Sequence, residues 1–271
     1  MSKNDKNYPN ITETSTHIIL KDVLAYNKNT HDLNIIGTIS KNTLGTPSAF
    51  KGDARWYNLL VIKRSDELEE SFKLIIKNVL RSAKRSETEI KDYLANYFLE
   101  YKNCPFSTLS SVKKLSSFES STYKALKELG EREELGEDSF VVKGVQTSIK
   151  EINGIREPVE RPPVFQKTKD GDLTLTLSQF NRQYPFGCMG AIAKMSVKLV
   201  VPKTAFDLVS SYLARTVLID TDLIMFKGSE VENLDPITGE ICKTLPPVSD
   251  DNEYKDNENR ADDLSLDDIP F

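Results

Sequence analysis

The sequence predicts an α+β fold: a sheet-rich body interrupted by a helical segment and followed by a disordered acidic tail. Three observations lead there. Short runs of β-branched and aromatic residues recur between Asn, Gly and Pro. Apolar residues between Leu68 and Leu80 fall at helical spacing. Beyond residue 240 acidic and polar side chains dominate, too few of them apolar to offset the entropy of ordering.

Residues 1–15 are polar and rich in Asn, Lys and Thr, so they are expected to form a flexible arm. Extended runs follow at 16–26, 33–39 and 55–63, where short length and β-branched content favour strands. Leu68, Phe72, Ile75, Ile76, Val79 and Leu80 then make one helical stripe, with Ser65 and Glu69 supplying N-terminal chemistry. A second helix is expected from Ser86, with Ile90, Leu94, Tyr97, Phe98 and Tyr101 on its apolar side. A weaker third spans 121–135, so 66–135 reads as a helical insertion. Core packing is the plain reading of these stripes, because a helix must bury its apolar face.

Strand signals return at 139–152, 173–180, 191–201 and 217–226. The stretch 155–170 holds Pro158, Pro162 and Pro163 and reads as a loop, whereas 205–215 reads as a further helix. No internal repeat is visible. Strands, a helical segment and more strands are compatible with a small closed β-barrel of the oligonucleotide-binding (OB) type over residues 16–240.

With 38% apolar and 8% aromatic residues the chain can build a real core. No stretch approaches the roughly 20 apolar residues that span a bilayer, and Met1 to Asn10 is too polar for a signal peptide, so no membrane association and a cytoplasmic location are expected. Cys104, Cys188 and Cys242 are widely spaced, and His17 and His31 have no paired ligand motif. Neither a disulfide framework nor a metal site nor any cofactor is expected. The net charge of -5 divides unevenly: residues 250–271 carry nine acids against Lys255 and Arg260, or -7, which leaves +2 for the rest. A mildly basic body with an acidic tail suits a nucleic-acid binder.

The tail ends Asp267-Asp268-Ile269-Pro270-Phe271, so that an apolar pair, a ring and a free carboxylate sit on a flexible tether. This ending resembles the C-terminal tip of bacterial single-stranded DNA-binding proteins. The resemblance implies that the tip of the disordered tail 241–271, Asp267 to Phe271, docks on replication, recombination and repair proteins: Phe271 fills a pocket, its carboxylate and the two aspartates meet basic groups, and Pro270 limits the entropy lost. It covers about ten residues. The body is about twice the size usual for the cellular family, and the insertion at 66–135 departs from its pattern. The chain is therefore read as a divergent, phage-encoded member, placed in the host cytoplasm, with a monomer favoured.

A nonspecific single-strand site needs cations for phosphates and rings on which bases stack. Two segments combine them. Phe50, Lys51, Arg55, Trp56 and Tyr57 lead into a strand ending at Lys63, and Phe180, Arg182, Tyr184 and Phe186 cluster in an expected loop. Alternation puts Trp56 and Tyr57 on opposite faces, so only one of them is expected to stack, and inward packing competes for both. Arg161, Phe165, Lys167 and Lys169 form a third candidate, a flap over DNA, for which solvated charge is the plainer reading. There is no Walker A sequence, no H-E-x-x-H and no acidic metal cluster; Asp220 and Asp222 read as turn residues. The sequence thus predicts a noncatalytic protein that coats single-stranded DNA without sequence specificity and recruits partners through its tip. The rival is a recombination mediator or adaptor that uses the tip without coating DNA.

Overall fold

The alternation of apolar residues sets the first three strands, β1 (Ile11–Glu13), β2 (His17–Leu20) and β3 (Leu24–Asn27), which pair in antiparallel sequence. This is a computed structural model, and it describes residues 8–48, 54–99, 104–108, 139–185, 187–204, 207–222 and 224. Part of the expected flexible arm is therefore sheet, because Ile11 finds a cross-strand partner in Leu20. The single run expected at 16–26 is a hairpin that turns at Asp22, whose φ of 60° is the left-handed conformation Asp tolerates.

β4 (Asp32–Asn42) is long enough to serve three neighbours. It pairs β12 (Ile192–Val200) along one edge, and on the other β3 near Leu33 and β5 (Arg55–Lys63) from Thr38 onward. The expected bounds of β5 are met residue for residue.

Helix α1 (Asp66–Ser82) follows from local chemistry. Ser65 Oγ accepts the Leu68 N–H at 3.1 Å, Asp66, Glu67 and Glu69 lie in the first turn and Arg81 in the last. Its buried face is the stripe read from the sequence, and Phe72 stacks on Phe106 at 4.1 Å and meets Phe140 edge-on at 5.4 Å. In α2 (Glu87–Asn96) Ser86 and Glu89 close a reciprocal capping box. That helix ends before Tyr97, which stays exposed, and buries Ile90 and Tyr93.

The segment 66–135 is not helical throughout: β6 (Phe106–Thr108) lies within it and pairs β7 (Ser139–Thr147), while the third helix expected at 121–135 falls outside the described residues. The Pro-rich loop expected at 155–170 contains β9 (Ile155–Pro158), paired in a separate hairpin with β8 (Ile149–Ile152), and β10 (Val164–Thr168), paired with β11 (Gly171–Leu175). Its prolines stand at the strand boundaries, where no ladder N–H is lost. The expected loop at 180–186 begins as helix α3 (Leu177–Gln183), capped by Thr176 and Gln179. The helix expected at 205–215 is instead the start of β13 (Ser210–Asp220), held by its ladder to β12.

The pairings β4-β5-β7-β13-β12-β4 run in a ring, antiparallel except between β7 and β13. The expected closed barrel is corrected at that junction. Only Tyr212 and Val145 pair across it, because from Thr216 to Leu218 the same edge of β13 is taken by β10. The ring is therefore open at one seam.

Inside it, Asn58 Nδ2 donates to Thr216 Oγ1 at 3.1 Å. Gly144 faces the interior so closely that a Cβ there would lie 2.8 Å from Val197, 2.9 Å from Leu213 and 3.0 Å from Met195. All three are side chains in a filled core, so Gly144→Ala should destabilise by about 1–3 kcal/mol through overpacking. Urea unfolding checks this, with a lowered midpoint and an unchanged slope expected.

Candidate nucleic-acid interface

Most of the rings proposed from sequence are parts of the core. Trp56 shares a face of β5 with Asn58 and Leu60 and is 8% exposed, and among the described residues nothing accepts from its Nε1. Tyr57 lies on the opposite face, 4% exposed, beside Leu59, Val61, Val141 and Lys143, which are all buried. Lys41 Nζ stands 6.0 Å from the Tyr57 ring centroid. Phe180 is fully buried against Tyr184, and burial pushes the Tyr184 hydroxyl up to about 12. Stacking on these four rings would require them to leave the core. Arg55, Lys63 and Arg182 are exposed, but Arg55 and Lys63 stand at opposite ends of β5 and Arg182 lies on α3; Phe50, Lys51, Phe186 and the tip residues Asp267 to Phe271 lie outside the described residues.

The third candidate segment splits. Arg161 is a latch: its guanidinium donates to the carbonyls of Leu44 at 3.1 Å and Leu175 at 2.5 Å and lies 5.6 Å from the Phe180 centroid. Lys167 and Lys169 are exposed at the β10–β11 end, and Phe165 is half-buried in β10.

The open surface is one the sequence reading missed, the outer face of β12 and β13. Along β12 the side chains alternate: Ala193, Met195, Val197 and Leu199 are buried, while Lys194, Ser196 and Lys198 face outward. Across the ladder Lys198 pairs with Tyr212 and Ser196 with Arg215, whereas the next partner of Val197 is Leu213. Ala214 is thus an extra residue on β13, and this bulge matters. Residues three apart in a regular strand face opposite ways, but here Tyr212 and Arg215 emerge on the same side. Tyr212 is 42% exposed, and Arg215 Nε donates to Ser196 Oγ at 3.1 Å. Among the described residues no ion pair engages Lys194, Lys198 or Arg215, although Asp32 is the β4 partner of Lys198. The bulge also hid the site in the sequence, because it breaks the period of two that would have marked 210–220 as a strand.

Beside this face the open seam makes a cleft of about 780 Å³ where β7 and β10 diverge along β13. Tyr212 and Ala214 line it from β13, Gln146 from β7, and Pro162, Pro163 and Leu177 from the opposite wall.

Behind the β5–β7 face sits an ionisable group in a costly place. Burial pulls the Lys143 ammonium down to about 8, partly opposed by the nearby Cys104. Ser211 Oγ donates to the Lys143 carbonyl and ties β13 to β7 next to the seam. Asp220 and Asp222 form the expected turn, the Asp222 N–H donating to Asp220 Oδ1 at 2.9 Å. Among the described residues there is no grouping of three or more metal-ligating side chains, and no helix long and apolar enough to cross a membrane.

No family model and no curated protein matches the chain. Among solved structures it is similar to a single-stranded DNA-binding protein from bacteriophage Enc34 in complex with ssDNA, with a TM-score of 0.44 and 10% identity over 79% of this chain and 96% of that one. It is also similar to gp2.5, a single-stranded DNA-binding protein encoded by bacteriophage T7, with a TM-score of 0.40 and 12% identity over 70% and 92%. A C-terminal truncation of the Enc34 protein gives 0.42 and 11% over 78% and 94%. Likeness of this degree leaves the chemistry to be read from this chain's own residues.

Two outcomes follow from the burial. Trp56→Ala should cost about 3–5 kcal/mol of stability, read from urea unfolding. Lys143→Met should be more stable than the wild type at neutral pH, since it removes a buried charge. Between about 8 and 10.5 the unfolded chain holds the lysine proton that the folded chain has shed, so the Lys143 contribution to stability rises with pH and the advantage of Lys143→Met shrinks across that window. Unfolding both proteins across it isolates the lysine from Cys104 and Cys188, whose raised thiol pKa values act oppositely.

Proposed function

We propose that this chain is a noncatalytic protein that binds single-stranded DNA without sequence specificity and recruits replication, recombination and repair proteins through its C-terminal tip. One observation carries the DNA-binding part: Tyr212 stands exposed on a strand face that also carries Lys194, Lys198 and Arg215, three cations that form no ion pair among the described residues. An exposed ring among unneutralised cations is the combination that a single strand rewards, through stacking on one side and phosphate neutralisation on the other. The acidic tail keeps its role from the sequence. The five-stranded ring supports an OB-type reading, because barrels of that type are five-stranded and partly open. Such barrels commonly bind on the face made here by β5 and β7. That face is buried in this chain, which moves the accessible surface round to β12 and β13.

A duplex hides its bases, so the protein should bind an oligothymidine far more tightly than a duplex of equal length. Replacing Lys194, Lys198 and Arg215 together by Gln should flatten the dependence of log affinity on log salt by about 2, given a contribution of roughly 0.7 per single-strand phosphate contact. Equal affinity for duplex, or a slope the triple variant leaves unchanged, would count against this face. For the tail, deleting Phe271 should abolish capture of replication proteins while DNA affinity stays the same. Pull-downs from a bacterial lysate with both proteins measure it, and an identical set of captured proteins would refute the tip's role.

A further inference from the structure

The open seam is more than a gap in hydrogen bonding. We propose that the cleft between β7 and β10 receives one unpaired nucleobase, stacked on Tyr212, while the adjoining phosphates run over Lys198 and Arg215; this rests on the single-strand-binding reading above.

The division of charge points to it. The cation of the cleft wall, Arg161, is spent on two backbone carbonyls, and the acid Glu160 also lines the space, so the interior offers a phosphate nothing. What it offers is a ring, Tyr212 at 42% exposure, the exposed apolar side chain of Leu177, and the Pro162-Pro163 pair that also lines the cleft. Those surfaces suit a flat, neutral heterocycle. At about 780 Å³ the cleft falls within the range of sites that hold small organic groups.

The cations stand just outside. Lys198 is the direct cross-strand partner of Tyr212, and the bulge at Ala214 brings Arg215 to the same side. A strand that follows the cations therefore passes the mouth of the cleft with Tyr212 at its edge. A polyanion with detachable aromatic side groups matches both parts, and a nucleic acid with unpaired bases is that polymer.

The cleft is also held in shape before anything binds. Arg161 ties one wall to Leu44 and Leu175, and Gln146 Nε2 donates to the Glu160 carbonyl at 3.0 Å, joining the end of β7 to the other side. Little ordering entropy remains to be lost on binding.

The test uses the intact chain. A short oligothymidine carrying 4-thiothymidine is bound and irradiated, and the crosslinked residue is mapped by mass spectrometry. A crosslink to Tyr212 or to its cleft neighbours is expected. In parallel, Tyr212→Leu should weaken binding about tenfold with the salt slope unchanged, Tyr212→Trp should keep wild-type affinity, and a 2-aminopurine base quenched by the wild type should stay bright with Tyr212→Leu. Tight binding with crosslinks confined to other faces, or with Tyr212→Leu indistinguishable from wild type, would overturn the cleft assignment and leave single-strand binding standing. No binding by the wild type at low salt would overturn both.

Discussion

A β-strand has two hydrogen-bonding edges, and at each point an edge can serve one neighbour; the architecture around the candidate site follows from how β13 divides that capacity. One edge is given to β12 over its length, whereas the other goes to β7 at Tyr212 and to β10 from Thr216 to Leu218. β7 and β10 cannot occupy the same edge, so they diverge. The seam, the cleft and the exposure of Tyr212 are consequences of that competition. β4 is shared in the same manner between β3 and β5, which lets the N-terminal meander grow off the ring as a continuation of its sheet.

An opened ring needs other ties to keep its shape. Close packing supplies one: Gly144 admits Val197, Leu213 and Met195 to within a distance no larger residue would allow, so β7 lies hard against β12 and β13 although the ladder between β7 and β13 is a single pair. Polar bonds supply the rest. Asn58 reaches Thr216 across the interior, Ser211 bonds the Lys143 carbonyl, and Arg161 joins the β11 end to the segment after β4. Bonds of this kind, buried at Asn58 and half-buried at Arg161 and Ser211, are costly to leave unmade, so they hold the seam in shape.

The candidate surface depends on a bulge. With β13 regular, Arg215 would point into the core when Tyr212 points out, and the face would lose one of its cations. The extra residue Ala214 turns the strand by one position and places both on the face that carries Lys194 and Lys198. Local irregularity in the ladder thus produces a surface where an exposed aromatic meets cations that form no ion pair among the described residues.

The sequence by itself determined the elements whose signals are local. The stripe from Leu68 to Leu80, the Ser65 and Ser86 caps, the bounds of β5 and the strands around 33–39 and 191–201 are written in periodicity and capping chemistry that need no distant partner. The charged tail and its Asp-Asp-Ile-Pro-Phe ending were legible for the same reason. Tertiary structure decided the faces. Trp56, Tyr57, Phe180 and Tyr184 look like stacking rings beside cations, yet each is buried, because which side of a strand or helix meets the core depends on what packs against it. Only the ladder to β12 identifies 210–220 as a strand, and only the competition between β7 and β10 exposes Tyr212. Period-two alternation cannot report a bulge, and no local signal reports which of two strands wins an edge.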